Sequence, residues 1–242
     1  MKKIFSIAIA LLACMAASAQ QYKELWIAGS AVPGGVQKLQ TVSDNDFKYA
    51  GKLQAGELCV MTTKKTGKDT RFLMPVLPDA NVANRGIGFK ETADGKEAAW
   101  QVLVDDDHYR IHLMTDRHQL QGEIFQPWGE LFIAGGATGT TWRKAEGHML
   151  LMKQDIDNPY VWSWEGELKE HSDVEEPRSF KFMGQDRWSP KALHAYRQDA
   201  DILTDQKARV GGPDTKWTIS KEGRYRIVVD LFNETVKAEI IK

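Results

Sequence analysis

Glu24-Leu25-Trp26-Ile27-Ala28-Gly29-Ser30-Ala31 returns later in the chain as Glu130-Leu131-Phe132-Ile133-Ala134-Gly135-Gly136-Ala137. Six of the eight positions are identical, and the change from Trp26 to Phe132 keeps an aromatic side chain. Self-similarity of this kind is the sequence signature of a repeated structural unit. The match therefore indicates an internal duplication.

Two further matches follow in the same order. Phe47-x-Tyr49-x-Gly51-x-Leu53 corresponds to Trp162-x-Trp164-x-Gly166-x-Leu168. Near the end of each copy, Tyr109-Arg110-Ile111 answers Tyr225-Arg226-Ile227, and Glu123-Ile124 answers Glu239-Ile240 at the same internal spacing. The sequence thus predicts two similar domains, 20–126 and 127–242, joined at Gln126-Pro127-Trp128-Gly129.

Each copy is typical of β-structure. Leu25 to Ala28 is a short apolar run that ends at Gly29, and Phe47 to Leu53 alternates large and small residues. A closing hairpin is expected from Arg224 to Ile241, and only Ala192 to Arg197 suggests a helical turn. Short strands separated by Gly and polar turns predict an all-β fold, with two tandem immunoglobulin-like β-sandwich domains.

Residues 1–19 have the pattern of a cleaved signal peptide. Lys2 and Lys3 precede an apolar stretch from Ile4 to Cys14, and Ala17-Ser18-Ala19 predicts cleavage before Gln20. Leu11-Leu12-Ala13-Cys14 also resembles the lipobox of bacterial lipoproteins, in which the Cys is lipidated. We therefore expect an exported protein. It would lie in the outer membrane or at the cell surface if Cys14 is lipidated, and would otherwise be periplasmic or secreted.

Composition argues against several classes of function. Loss of Lys2 and Lys3 leaves 30 basic and 33 acidic residues, which does not suggest a nucleic-acid surface. Asp105-Asp106-Asp107 is typical of an acidic turn, and neither the histidines nor any Gly-rich loop has the spacing of a metal or phosphate site. The sequence predicts no cofactor and no metal. Cys59 would be the only thiol of the cleaved chain, so no intrachain disulfide is expected.

The order of motifs in the second copy resembles the SusE/SusF family. That family comprises outer-membrane starch-binding proteins of a bacterial polysaccharide-utilisation system, built from tandem immunoglobulin-like domains. The residues that carry the resemblance are Leu131 to Thr138, Trp142, Trp162 to Leu168, Phe180 to Phe182, Trp188-Ser189-Pro190 and Gly223-Arg224-Tyr225. The first copy departs from the pattern, since Val36 stands near the place of Trp142. The resemblance implies glycan binding, a lipid anchor and an outer-membrane location.

The eight Trp residues divide into two predicted groups. Trp162 and Trp164 share one strand face and are expected in the core, as are Trp26, Trp100 and Trp217, while Trp128 belongs to the joint. Trp142 and Trp188 follow predicted strands, where ligands are often bound. A Trp that caps the core would show the same pattern at either position.

The predicted carbohydrate-binding residues combine apolar rings with hydrogen-bonding groups. A pyranose packs its C–H face on an aromatic ring, and its hydroxyls need polar partners at the rim. The residues expected to do this are Trp142, Gln185, Asp186, Arg187, Trp188, Lys191 and Tyr196. No catalytic residue is predicted.

Three functions are compatible with these patterns. The first is a non-catalytic protein that binds an oligo- or polysaccharide, α-glucan above others, alone or with other outer-membrane glycan-uptake components. The second is a structural or assembly subunit of an envelope complex with no ligand. The third is a glycoside hydrolase, which would need two carboxylates at a defined separation.

Overall fold

The computed structural model describes residues 22–95, 98–140, 142, 147–188 and 191–242. The predicted signal peptide, Cys14 and the cleavage site before Gln20 lie outside the described residues, as do Ser189 and Pro190. Within the described ranges, regular structure consists of 21 β-strands and one 3₁₀ turn, Gly136–Thr138. The all-β prediction is therefore confirmed. No helix in this part of the chain is long and apolar enough to cross a membrane.

The strands fall into two series, which we call the first copy (β1–β10) and the second copy (β11–β21). The first copy contains β1 (Trp26–Ala28), β2 (Val36–Lys38), β3 (Gln40–Ser43), β4 (Asp46–Leu53), β5 (Gly56–Met61), β6 (Phe72–Pro75), β7 (Ile87–Thr92), β8 (Trp100–Val102), β9 (Asp106–Met114) and β10 (Gln119–Ile124). The second copy contains β11 (Phe132–Gly135), β12 (Leu150–Leu151), β13 (Lys153–Gln154), β14 (Val161–Leu168), β15 (Ser179–Met183), β16 (Ala192–Ala195), β17 (Ala200–Asp201), β18 (Ala208–Val210), β19 (Trp217–Thr218), β20 (Gly223–Asp230) and β21 (Thr235–Ile241).

The two copies pair their strands in the same order. The run β2-β1-β5-β6-β7 in the first copy corresponds to β12-β11-β15-β16-β18 in the second, and β3-β4-β9-β10 corresponds to β13-β14-β20-β21. The register repeats as well, because Gly51 faces Tyr109 and Gly166 faces Tyr225. The copies differ at one edge: β7 pairs with β10, which joins the first copy into one sheet, whereas the second copy keeps two.

Each copy has its own buried core, with a tryptophan at its centre. Trp100 and Trp217 are fully buried, and their indole nitrogens donate to the carbonyls of Leu73 at 3.1 Å and Asp205 at 3.2 Å. Burying one large apolar side chain stabilises a fold by roughly 1.5–3 kcal/mol. The predictions that Trp100, Trp162 and Trp217 are core residues are confirmed.

One expectation about a segment is wrong, and two about tryptophans hold only in part, since Trp164 and Trp26 pack against buried clusters without being buried themselves. Ala192–Ala195 is strand β16 and not a helical turn, because its pairing with β15 and β18 buries all four residues and outweighs local helix propensity. Trp164 is only partly buried, because Gly166 leaves room for its indole to lie across the strand. Trp26 is also partly exposed, with the ammonium groups of Lys38 and Lys64 each 5.7 Å from its ring centroid.

Aromatic rings pack where the two copies meet. Phe125 contacts Trp128, Tyr160 and Phe232 at ring-centroid distances of 6.5, 5.9 and 6.5 Å. Trp128 is buried, at the joint predicted from the sequence. Because Phe125 packs into the core of the second copy, the two copies are in direct apolar contact. The domain boundaries 20–126 and 127–242 stay a prediction.

Candidate functional site

Trp142 and Trp188 meet at the surface of the second copy. Their ring centroids are 5.9 Å apart, with an angle of 34° between the planes. Trp188 is 36% exposed, and Trp142 is partly buried. The two residues are 46 positions apart in sequence, so their contact is produced by the fold. Only Trp188 is exposed, and Trp142 lies against it from the more buried side.

The end of strand β11 positions Trp142. Gly135 has φ 150° and ψ −178°, a conformation that only glycine adopts readily. A Cβ there would lie 2.4 Å from the Ser179 carbonyl oxygen and 2.9 Å from the Trp142 ring. After Gly135 the chain makes its 3₁₀ turn, where the Thr138 hydroxyl donates to the Gly135 carbonyl at 2.8 Å. Glycine at this repeated position therefore allows the loop to bring Trp142 against the sheet.

Polar side chains next to Trp188 hold the loop that carries it. The Gln185 amide donates to the carbonyls of Arg187 at 3.2 Å and Lys191 at 3.1 Å. The Asp186 carboxylate accepts from the backbone N–H of Met149 at 3.0 Å. Gln185 and Asp186 are thus occupied in fixing the backbone on either side of Trp188. In this structure they act as positioning residues for the indole.

The indole pair borders a hollow of about 630 Å³, which we call the aromatic hollow. Its other lining residues are all charged: Glu175, Glu176, Lys181, Asp214 and Lys216. The volume falls within the range of about 300–1,000 Å³ that is usual for small-molecule sites. The hollow therefore combines aromatic surface with a ring of hydrogen-bonding groups.

The lysines of the aromatic hollow lie against the indoles and form ion pairs. Lys181 Nζ lies 4.9 Å from the Trp188 centroid and 2.7 Å from Asp214 Oδ1. Lys216 Nζ lies 5.2 Å from the Trp142 centroid and 3.0 Å from Glu176 Oε2. A cation over an indole face is attracted by the ring's electrons. The lysines consequently have defined positions at the rim.

Asp214 is the central acceptor of the aromatic hollow. Partial burial acts to raise its pKa, but the hydrogen bond and charge of Lys181, with Lys216 and His194, hold that pKa below its usual value. Burial, followed by the charge of Lys181, lowers the pKa of His194. Asp214 is therefore ionised at neutral pH and can accept hydrogen bonds, while His194 is neutral.

Three further predicted site residues, Arg187, Lys191 and Tyr196, do not line the aromatic hollow. Arg187 is exposed, and its side chain contacts no described residue through an ion pair or hydrogen bond. The Lys191 ammonium lies 5.2 Å from the centroid of Trp128. The Tyr196 hydroxyl lies 3.0 Å from both the Ser43 hydroxyl and Asp46 Oδ2, which belong to the first copy. Lys191 and Tyr196 thus face the contact between the copies.

Sequence reasoning missed the charged lining, although one signal for it was present. Lys181 stands between Phe180 and Phe182, which are both fully buried. Because successive strand residues point to opposite faces, Lys181 must lie on the outer face, below the loops that carry the indoles. Asp214 and Lys216 come from the segment before β19, and no local pattern places them near Trp142.

The corresponding surface of the first copy has a different character. Ala28 faces Cys59 as Ala134 faces Lys181, so Cys59 occupies the position of the central lysine. Around it lie the buried apolar residues Met61, Phe72 and Met74. Burial raises the pKa of the Cys59 thiol, which favours its protonated form. Among the described residues, this surface has neither the charged lining nor the indole pair of the second copy.

No protein-family profile matches the chain, and no curated protein matches it. Among solved structures the chain is similar to SusF from Bacteroides thetaiotaomicron, with 12% sequence identity and a TM-score of 0.37. The similarity covers 90% of this chain and 48% of that one, so this chain spans about half the length of the SusF structure. Similarity at this level does not place the chain in a family.

Proposed function

We propose that this protein is a non-catalytic carbohydrate-binding protein, whose aromatic hollow takes an oligo- or polysaccharide, α-glucan above others. The observation that carries the proposal is the contact between Trp142 and Trp188 beside the ionised Asp214, Lys181 and Lys216. Apolar faces and fixed polar groups within one hollow are what a sugar ring requires.

Each part of the hollow has a defined role in this proposal. The exposed indole of Trp188 packs against the C–H face of a pyranose, and Trp142 supports it from behind. Asp214 and Glu176 accept hydrogen bonds from sugar hydroxyls, while Lys181 and Lys216 donate them. Hydrogen bonds that involve a charged partner contribute more than those between neutral groups. Gln185 and Asp186 contribute by holding the Trp188 loop.

The hollow is shallow, so the affinity of the single site should be modest. Binding orders the sugar, and this cost offsets much of the contact energy. We expect a dissociation constant on the order of 10–1000 μM. The first copy lacks the indole pair, so we expect no gain from two-site binding.

The ion pairs of the aromatic hollow support a binding role over glycoside hydrolysis. A general acid for that reaction needs a carboxyl group whose pKa is raised. In the hollow, the pKa of Asp214 is lowered and Glu176 pairs with Lys216. Of the three carboxylates that line the hollow, Asp214 and Glu176 are therefore suited to accepting hydrogen bonds.

The proposed setting is the bacterial cell envelope. The predicted signal peptide implies export, and lipidation at Cys14 would attach the protein to the outer membrane. Other glycan-uptake components of that membrane are the partners we propose. A ligand-free structural subunit is the alternative, and the first copy favours it for that copy, because Cys59 and the buried Met61 and Phe72 stand where the second copy has Lys181 and the aromatic hollow.

Affinity electrophoresis under native conditions tests the proposal. The chain that starts at Gln20 is run in gels containing amylopectin, dextran, xylan or no polysaccharide. We expect retardation in amylopectin relative to the plain gel. Equal mobility in every gel would refute glycan binding and favour the structural alternative.

A further inference from the structure

A second and larger hollow, which we call the central cleft, lies between the two copies. It has a volume of about 660 Å³. One wall comes from β4, β9 and β10 of the first copy, and the other comes from β18 and the segment Gly211-Gly212-Pro213 of the second. The indoles of the aromatic hollow do not line it, so the two hollows are separate.

Three of the four carboxylates in the central cleft are already paired with cations or hydrogen-bond donors. Glu123 pairs with Arg110 at 2.5 Å and with Arg85 at 2.7 Å. Glu234 and Asp46 both contact His112, at 2.6 and 2.9 Å. The fourth, Asp116, lies in the exposed turn after β9, and it forms no ion pair with a described residue.

Three cations of the same cleft have no carboxylate partner. Within the described ranges, Arg117, Lys191 and Arg209 form no ion pair, although all three line the cleft. Burial lowers the pKa of the Arg209 guanidinium, the charges of Tyr196, Asp46 and Glu234 raise it, and the charge of Arg117 lowers it. The two guanidinium groups repel each other, and neither forms an ion pair with a carboxylate of the described residues.

The protein nevertheless holds Arg209 in one orientation. Its guanidinium lies 5.4 Å from the Tyr196 ring centroid, and Nη2 donates to the Thr215 hydroxyl at 3.3 Å. Nε is buried without a hydrogen-bond partner among the described residues, next to Gly212. Nη1 also has no hydrogen-bond partner among the described residues, but unlike Nε it is not fully buried. A cation fixed in this way, with free donors, is prepared to bind an anion.

We propose that the central cleft binds an oxyanion, a carboxylate or sulfate group, between Arg209 and Arg117, with Lys191 adding a third positive charge. The planar guanidinium matches the two oxygens of such a group, and the anion removes the repulsion between the two arginines. Tyr196 orients Arg209 through its ring, while its hydroxyl is held by Ser43 and Asp46. This inference does not depend on glycan binding at the aromatic hollow.

The oxyanion can belong to a free small ion or to an acidic sugar. The cleft is larger than one sulfate requires, and its lining is mostly polar, which leaves room for the ring that carries a carboxylate. The two sources share the same recognition chemistry. They are distinguished by two probes, inorganic sulfate and trigalacturonate, with maltotriose as the uncharged comparison.

Nuclear magnetic resonance of arginine side chains provides a readout at the site itself. Because Arg209 Nε is buried, its proton should exchange slowly with water and give an observable signal. That signal is assigned by its loss in Arg209→Gln. The full chain from Gln20 is titrated with sodium sulfate, with sodium chloride at matched ionic strength, and with the two oligosaccharides.

We expect a saturable shift of the Arg209 signal with sulfate or trigalacturonate, and none with chloride or maltotriose. Saturation by sulfate alone would identify a site for a small ion, and saturation by trigalacturonate at lower concentration would identify an acidic sugar. Arg117→Gln should weaken the binding about ten-fold, since one charge-assisted contact is lost. Arg224→Gln, an exposed arginine remote from the cleft, should leave it unchanged. The absence of a saturable shift with both oxyanions, or equal affinity in Arg117→Gln, would overturn the proposal.

Discussion

At the level of single residues, a buried carboxylate with three cationic neighbours lies in the turn between β20 and β21. Glu234 adopts a left-handed φ of 48°. Its carboxylate lies among side chains of the first copy. It lies 2.6 Å from His112 Nε2 and 3.6 Å from both Lys48 Nζ and Arg110 Nη1. Burial acts to raise its pKa, but His112, Arg110 and Lys48 lower it to about 2. The carboxylate is therefore charged at all ordinary pH values.

His112 makes stability depend on pH above neutrality. Burial acts to lower its pKa, but Glu234 and Asp46 raise it from 6.5 to about 9. A raised pKa stabilises the folded state fully below pH 6.5, and this stabilisation is lost as pH rises through about 9. We expect the free energy of unfolding to fall by up to about 3 kcal/mol over that interval.

His112→Gln should remove most of this dependence, because glutamine cannot carry the charge. The measurement is urea unfolding at pH 6.5, 7.5, 8.5 and 9.5 for both proteins. His118→Gln, an exposed histidine in the turn before β10, is the matched control and should retain the parental slope. Equal slopes in the parent and in His112→Gln would show that His112 is not the titrating group.

At the level of elements, the end of β11 determines the shape of the aromatic hollow. Gly135→Ala should cost about 1–3 kcal/mol of unfolding free energy from backbone strain alone, and its Cβ would push Trp142 away from the sheet. Gly129→Ala is the control, since a Cβ there meets no atom within 4 Å. Urea unfolding of both variants provides the comparison. A Gly135→Ala protein as stable as Gly129→Ala would contradict the strain argument.

Alternation of residue types and the internal repeat predicted most of the long strands, because both are local signals in the sequence. The hairpin expected from Arg224 to Ile241 corresponds to β20 and β21, and Phe180 to Phe182 corresponds to β15. Ala192–Ala195 was misjudged because all four of its residues are buried and no alternation remains. The position of Lys181 in the lining of the aromatic hollow could be predicted from strand alternation. The position of Asp214 could not, because it lies in a loop whose path no local pattern determines.

At the level of the whole molecule, buried polar contacts join the two copies. Arg110 Nη1 donates to the Leu231 carbonyl at 2.8 Å, and Lys48 Nζ donates to the Asn233 carbonyl at 2.5 Å. Lys207 Nζ donates in the other direction, to the Val42 carbonyl at 2.8 Å. The copies should consequently unfold together. How the copies dock could not be predicted from the sequence, because it is determined by pairs distant in the chain, such as Tyr196 and Asp46.

Glu234→Gln tests this coupling. The change leaves three buried cations without their common anion, and breaking such a pair typically costs about 3–5 kcal/mol. Differential scanning calorimetry should show one transition for the parent, and a lower melting temperature or two separate transitions for the variant. Glu239→Gln, which changes an exposed residue of the adjacent strand β21, should melt as the parent does. Two transitions in the parent would disprove the coupling.

The central claim is that the aromatic hollow of the second copy binds a glycan through Trp188. Its most direct test is isothermal titration calorimetry with maltoheptaose on the parent, Trp188→Ala and Trp26→Ala. Trp26 is the matched control, because it is also partly exposed and has lysine ammonium groups beside its ring. We predict binding by the parent and by Trp26→Ala, and no measurable binding by Trp188→Ala, with unchanged circular dichroism spectra. Equal affinity in the parent and in Trp188→Ala would contradict the account.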